Sequence, residues 1–166
     1  YTWATIMAAV MLAVGLAVNF GILRAAFTGS VLSSASLTPS GATLGQLARS
    51  ATSYWSYASG LGAHAAPTPF SLVLLIMSLV TLGHVEYAPT VIILLTAPCA
   101  ALSFWALAGT VTRSNAVRIT AGCAWVAGGM FMGFYSLGNL PLLVSSVFLP
   151  ASVAFTLKAL GMYRTE

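Results

Sequence analysis

The sequence has 166 residues, of which 59% are hydrophobic and 5% are charged. Soluble domains carry about 25% charged residues, so this chain lacks the polar surface that a water-soluble fold of its size requires. Its six basic residues are scattered, which excludes the clustered basic stripe of a nucleic-acid-binding protein. Composition therefore predicts an all-α integral membrane protein.

The amino-terminal part is predicted to contain one span and a long polar loop. The apolar segment 2–27 is long enough to cross about 30 Å of hydrocarbon. We expect Asn19 within it to form a hydrogen bond between helices, with a ligand contact as the alternative. The following segment 28–68 is rich in Ser, Thr, Gly and Ala, which is typical of a loop outside the hydrocarbon core. Within that loop, apolar residues recur at helical spacing over 44–58. This pattern predicts one interfacial amphipathic helix, capped by Thr43 and lying on the membrane surface or packed against the bundle.

Four further spans are predicted, at 69–82, 88–111, 116–135 and 140–160. The small residues at 128–133 predict a close contact with a neighbouring helix. With about five transmembrane helices in total, all six Lys and Arg residues fall on one side of the membrane. The positive-inside rule makes that side cytoplasmic and places the amino terminus outside.

Arg49, Trp55 and His64 are the candidate substrate-binding residues, because they fall in the one long polar loop. A guanidinium group binds phosphate, and aromatic faces pack against sugar rings, so this loop has the residue types that hold a sugar phosphate. The same residues also fit an interfacial helix with an aromatic anchor and an Arg that reaches towards the headgroups. Both interpretations remain open on the sequence alone.

His84 and Glu86 form a possible polar pair in the short connection after the second span. The pair suits proton handling or binding of a polar headgroup, and it equally suits a solvated turn at the membrane surface. Arg113 and Arg118 flank a later turn. These two cations either determine the orientation of the chain in the membrane or bind an anionic lipid.

Several kinds of chemistry are not expected from this sequence. Glu86 and Glu166 are its only acidic residues, so the paired carboxylates of a metal-dependent sugar transferase are missing, and no catalytic residues are predicted. Cys99 and Cys123 lie in apolar segments without metal-ligand spacing. Because both histidines fall in loops and not in spans, a haem or copper cofactor is not expected either.

Three segments resemble, in order, the carboxy-terminal membrane region of large actinobacterial glycosyltransferases of family 2. They are LTPSGATLGQLARSATSYWSYASGLGAHAAPTPF at 37–70, APCAALSFWALAGTVTRSNAVRITAGCAW at 97–125 and GFYSLGNLPLLVSSVFLP at 133–150. The likeness rests on small, aromatic and proline residues. The chain departs from the family pattern at Asn139, where the family has a basic residue, and it lacks the acidic metal motif of the family's cytoplasmic GT-A domain.

The resemblance implies the membrane domain of a cell-envelope glycosyltransferase, multi-pass in a bacterial plasma membrane and part of a longer chain. Such a domain anchors the enzyme and receives a polyprenyl-phosphate-linked sugar or a glycolipid, so membrane lipids are its expected partners. A cytoplasmic GT-A domain joined to an outside amino terminus requires additional spans upstream. The alternative is a non-catalytic subunit or assembly factor of a larger bacterial membrane complex, with other membrane subunits as partners; a transporter fragment comes third.

Overall fold

A computed structural model describes residues 2–29, 43–53, 55–56, 63–64, 70–133 and 139–162 of the chain. Most of these residues are helical. The elements in chain order are α1 (Thr2–Val18), α2 (Phe20–Phe27), α3 (Leu44–Thr52), β1 (Trp55–Ser56), β2 (Ala63–His64), α4 (Phe70–Val80), a 3₁₀ turn (Val85–Tyr87), α5 (Ala88–Val111), α6 (Asn115–Phe131) and α7 (Leu140–Ala159). The chain divides into two compact units, Tyr1–Leu23 with Ile92–Glu166 and Arg24–Val91.

Two or three helices of the described part are candidate membrane spans. The segment Val85–Val111 and helix α7 are long and apolar enough to cross a bilayer, and the bent pair α1 and α2 makes a third if it counts as one span. Helix α4 has 11 residues and α6 has 17. At 1.5 Å per residue they rise roughly 17 and 25 Å, less than the hydrocarbon thickness of about 30 Å. The all-helical membrane class is therefore supported, and the five predicted spans are not confirmed.

Small side chains build the core of the first unit. Ala97, Ala100 and Ala101 of α5 pack with Met7 of α1 and Val126 of α6, and all five side chains are buried. Alanine side chains let helix backbones approach closely, which is how helices associate where no hydrophobic effect drives them together.

A close glycine contact lies at Gly122, outside the predicted segment 128–133. A Cβ added at Gly122 would lie 2.8 Å from the carbonyl oxygen of Ala101 and 3.1 Å from the Sδ of Met7. Among the described residues, nothing comes within 4 Å of a Cβ added at Gly128. Gly122 is one helical turn before the buried Val126 and shares its face, whereas Gly128 is turned away from that face, so the close contact is not found at Gly128.

Pro150 shapes the contact between α7 and the two helices before it. A proline has no N–H, so the carbonyl of Ser146, four residues earlier, loses its helical donor. The indole Nε1 of Trp125 on α6 donates to this oxygen at 3.0 Å. The hydroxyl of Ser103 on α5 donates to the next carbonyl, that of Val147. Both bonds tie α7 to its neighbours at the proline.

Asn19 stands at the break between α1 and α2, whose axes differ by 71°. Its side-chain Nδ2 donates to the carbonyl of Gly15 at 2.9 Å, and the amide is buried. The predicted bond between helices is therefore wrong. A short side chain reaches the carbonyl four residues before it more readily than a group on another helix.

In the second unit, the predicted amphipathic helix is present but shorter. Thr43 and Gln46 form a capping box at the start of α3, with Gln46 Oε1 accepting from the Thr43 N–H at 2.8 Å. Leu47 is buried, and α3 packs against α4. The helix ends at Thr52, not near residue 58, because the aromatic residues that follow favour extended backbone.

Candidate functional site

Two of the three residues predicted to bind substrate are brought opposite each other. Strands β1 and β2 pair in antiparallel register, with Trp55 facing His64 and Ser56 facing Ala63 along the backbone. The six residues between the strands lie outside the described part. Trp55 and His64 are therefore direct neighbours across the backbone ladder.

Arg49, the third predicted binding residue, occupies the last turn of α3 and is exposed. A basic side chain at a helix carboxyl end interacts favourably with the partial negative charge there. The backbone N–H of Ser53 closes the helix by donating to the Arg49 carbonyl at 2.7 Å. Arg49 lies six positions before Trp55, the first residue of β1.

His84 and Glu86 meet at the edge of ion-pair distance. Nδ1 of His84 lies 4.0 Å from Oε1 of Glu86, and the side chains are 65% and 42% exposed. The ring of Tyr87 lies 6.0 Å from that of His84, with the planes tilted. Exposed pairs of this kind contribute little to stability, so the geometry agrees with a solvated turn.

The structure also contains a cluster of Arg118, Trp105 and Gly109, which the sequence did not single out. The guanidinium carbon of Arg118 lies 3.5 Å from the centroid of the Trp105 ring, a cation–π geometry. Its Nε donates to the Trp105 carbonyl at 3.4 Å. A Cβ added at Gly109 would collide with the Nη2 of Arg118. The ring and carbonyl of Trp105 and the space at Gly109 together hold the guanidinium of Arg118 against α5.

A sequence signal for this cluster does exist. Three residues, 112–114, connect α5 to α6, so the two helices run antiparallel and residues equally far from the turn come close together. Trp105 and Gly109 are four positions apart and therefore share a face of α5. Arg118 lies at a similar distance on the other side of the turn. The sequence pattern is therefore an aromatic residue and a glycine four positions apart on one helix, followed by a short turn and an Arg near the start of the next helix.

Trp105 offers its ring and carbonyl to Arg118, while its indole nitrogen has no partner among the described residues. The Nε1 atom is enclosed by protein. The neighbouring aromatic pair differs, since Trp125 stacks on Phe104 at 5.1 Å and its indole N–H is bonded to Ser146. The two tryptophans thus have different roles: Trp105 contacts the cation of Arg118, and Trp125 donates a hydrogen bond to helix α7.

The outer face of α6 forms an open groove of about 390 Å³. Its lining consists of small or short side chains: Ala116, Val117, Thr120, Ala121 and Ala124. Faces of this composition are typical of helix–helix contacts in membranes.

No metal-binding group was found in the described part of the chain, where His, Cys, Asp and Glu side chains do not come together in threes. Cys99 and Cys123 are both free thiols, the former exposed.

The chain matches no protein-family model, no curated protein and no solved structure.

Proposed function

We propose that this chain is the membrane domain of a cell-envelope glycosyltransferase in a bacterial plasma membrane. It would anchor the enzyme and receive a lipid-linked sugar or glycolipid through the polar loop 28–68. The observation that supports this proposal best is the pairing of β1 with β2, which sets Trp55 opposite His64 within that loop. The resemblance of 37–162 to the family's membrane region points the same way.

The chemistry of the loop suits a phosphate joined to a sugar. Arg49 is exposed and carries the charge that a phosphate requires. Trp55 and His64 are ring-bearing residues in register across the strand pair, and aromatic rings pack against the apolar face of a sugar. The loop would thus bind the acceptor or the lipid-linked donor, while the reaction itself takes place on another domain.

The proposal includes the five-span arrangement, with spans near 2–27, 69–82, 88–111, 116–135 and 140–160. The short helices α4 and α6 would then cross with little tilt, with local thinning of the bilayer or with residues borrowed from adjacent segments. In this arrangement the loop 28–68 lies on the cytoplasmic side together with all Lys and Arg residues. That is the side on which a cytoplasmic GT-A domain would meet its acceptor.

The test is binding of a polyprenyl phosphate to the complete protein in nanodiscs, followed by native mass spectrometry. A triple variant, Arg49→Ala with Trp55→Ala and His64→Ala, should bind at least about tenfold more weakly, because one charge-assisted hydrogen bond is worth about 1.5–3 kcal/mol. The chain offers a matched control in Trp3→Ala with Arg24→Ala and His84→Ala, which removes the same residue types elsewhere.

The control variant should bind like the unmodified protein. Equal weakening in both triple variants would contradict the proposal, since binding would then follow from charge and aromatic content and not from the loop. Failure of the unmodified protein to bind would contradict it as well.

A second candidate function is a non-catalytic subunit or assembly factor of a larger bacterial membrane complex. The small-residue groove on α6 favours it, because such a face suits a helix of another subunit. In that case the polyprenyl phosphate would not bind, and the protein would purify with a partner of defined mass.

A further inference from the structure

Arg118 is a half-buried cation without a carboxylate partner in the described part of the chain. The ion pair found among the described residues joins His84 to Glu86. The sequence has just one other acidic residue, Glu166, so the chain supplies very few anions for its six cations. A guanidinium group in an apolar helix is costly and pairs with an anion, a backbone carbonyl or water.

The contacts that hold Arg118 leave its charge unneutralised. Its Nε bonds to a neutral carbonyl, and the ring of Trp105 attracts the cation without cancelling it. A guanidinium has five N–H donors, of which this arrangement uses one. The first turn of α6 also contains no acidic residue. The described residues supply no anion for the remaining donors, and these donors are suited to a bound oxyanion.

We propose that Arg118 binds a phosphate group, a monoester or diester, at the α5–α6 pair. Arginine is well matched to phosphate because its planar fork donates two parallel hydrogen bonds. Trp105 and Gly109 hold that fork in place before the ligand arrives, which reduces the entropy lost on binding. The phosphate belongs to an anionic lipid headgroup or is free in solution. This site is separate from the loop of Arg49, Trp55 and His64 and does not rest on the function proposed for that loop.

The experiment measures binding of a short-chain phosphatidic acid and of inorganic phosphate to the complete protein in neutral detergent, by titration calorimetry. Arg118→Gln should weaken binding about tenfold or more, the loss of one charge-assisted hydrogen bond. Gly109→Ala should also weaken it, because the new methyl group displaces the guanidinium while the charge stays. Binding of the lipid alone assigns the site to a headgroup, and equal binding of inorganic phosphate assigns it to the free ion; either result supports the proposal.

Two matched controls separate this site from general attraction between anions and a basic protein. Gly128→Ala adds the same methyl group where the described residues leave space, and Arg24→Gln removes an exposed charge. Both should leave binding unchanged within about twofold, well under 1 kcal/mol. The proposal is overturned if neither probe binds, or if Arg118→Gln and Gly109→Ala bind as tightly as these controls. Thermal unfolding of each variant confirms that the comparison is made on folded protein.

Discussion

At the scale of single residues, two glycines control how closely elements approach each other. Gly109 leaves room for a side chain, the guanidinium of Arg118, while Gly122 leaves room for a backbone, the carbonyl of Ala101. The difference matters because a flexible side chain can move aside and a helix backbone cannot. Substitution at Gly122 should therefore affect stability more than substitution at Gly109.

Gly122→Ala is expected to destabilise the protein by about 1–3 kcal/mol, the usual effect of overpacking. The added Cβ would lie 2.8 Å from the Ala101 oxygen, so α5 and α6 would have to separate. Gly128→Ala is the control, and it should be neutral or stabilising by up to about 1 kcal/mol through helix propensity. Equilibrium unfolding in mixed micelles measures both. If the two variants unfold alike, the close approach at Gly122 is not a determinant of stability.

Residue-level roles were the hardest to predict from the sequence. The cap at Thr43 was predicted and is confirmed, because capping depends on a local pattern of four residues. The bond between helices expected of Asn19 was wrong, and no close contact is found at Gly128, because both expectations required knowing which face of a helix meets a neighbour. Arg118 was recognised as a cation near a turn, but its contact with Trp105 depends on the pairing of two helices. For Arg49, Trp55 and His64, binding remains a prediction.

At the scale of elements, α7 is joined to α5 and α6 through its own proline. The carbonyl of Ser146, which loses its helical donor to Pro150, accepts from Trp125. The carbonyl of Val147, whose helical donor is Ala151 and not the proline, accepts in addition from Ser103. A proline inside an apolar helix is tolerated when neighbouring helices satisfy the freed backbone groups. The sequence placed Pro150 inside the last span but did not indicate which donors would reach it, since those lie 21 and 44 residues away.

Trp125→Phe should destabilise the protein by about 1–2 kcal/mol by leaving the Ser146 carbonyl without a donor. In a Pro150→Ala background the loss should be smaller, because the new backbone N–H at position 150 is able to donate to that carbonyl. The double-mutant cycle, measured by unfolding in detergent, should give a coupling of about 0.5–1.5 kcal/mol. Strictly additive effects would show that the indole bond does not compensate for the proline.

Trp105→Phe is the natural comparison for that cycle. It removes an indole N–H that has no acceptor among the described residues, so no hydrogen bond is lost there. Its coupling to Pro150→Ala should be near zero.

At the scale of the whole molecule, composition alone predicted the helical membrane class, and the described residues support it with two or three candidate spans. The number of spans was harder to predict. Hydropathy measures how apolar a segment is, whereas spanning also depends on the length of continuous helix, and α4 has 11 residues. The positive-inside rule places all six basic residues on one side of the membrane, but this result depends on the predicted number of spans.

Labelling of single cysteines tests the five-span arrangement directly. In a background with Cys99→Ser and Cys123→Ser, we expect His84→Cys to react with an impermeant maleimide added outside intact spheroplasts. Arg49→Cys and Arg113→Cys should react only after the membrane is opened, because the arrangement places both on the cytoplasmic side. Reaction of both Arg49→Cys and His84→Cys from outside would remove α4 from the set of spans. Reaction of His84→Cys and Arg113→Cys from the same side would remove the segment Val85–Val111.

The proline of α7 also has a consequence for biosynthesis. Helices α5 and α6 leave the ribosome before α7, so the hydroxyl of Ser103 and the indole N–H of Trp125 are synthesised before the carbonyls that accept from them. Until α7 arrives, the indole N–H of Trp125 lacks the Ser146 carbonyl as its acceptor, whereas the hydroxyl of Ser103 is able to bond to a carbonyl of its own helix. Docking of α7 then satisfies the indole N–H and the Ser146 carbonyl in one step, which makes arrival of the last helix the event that commits this group of helices to its final packing.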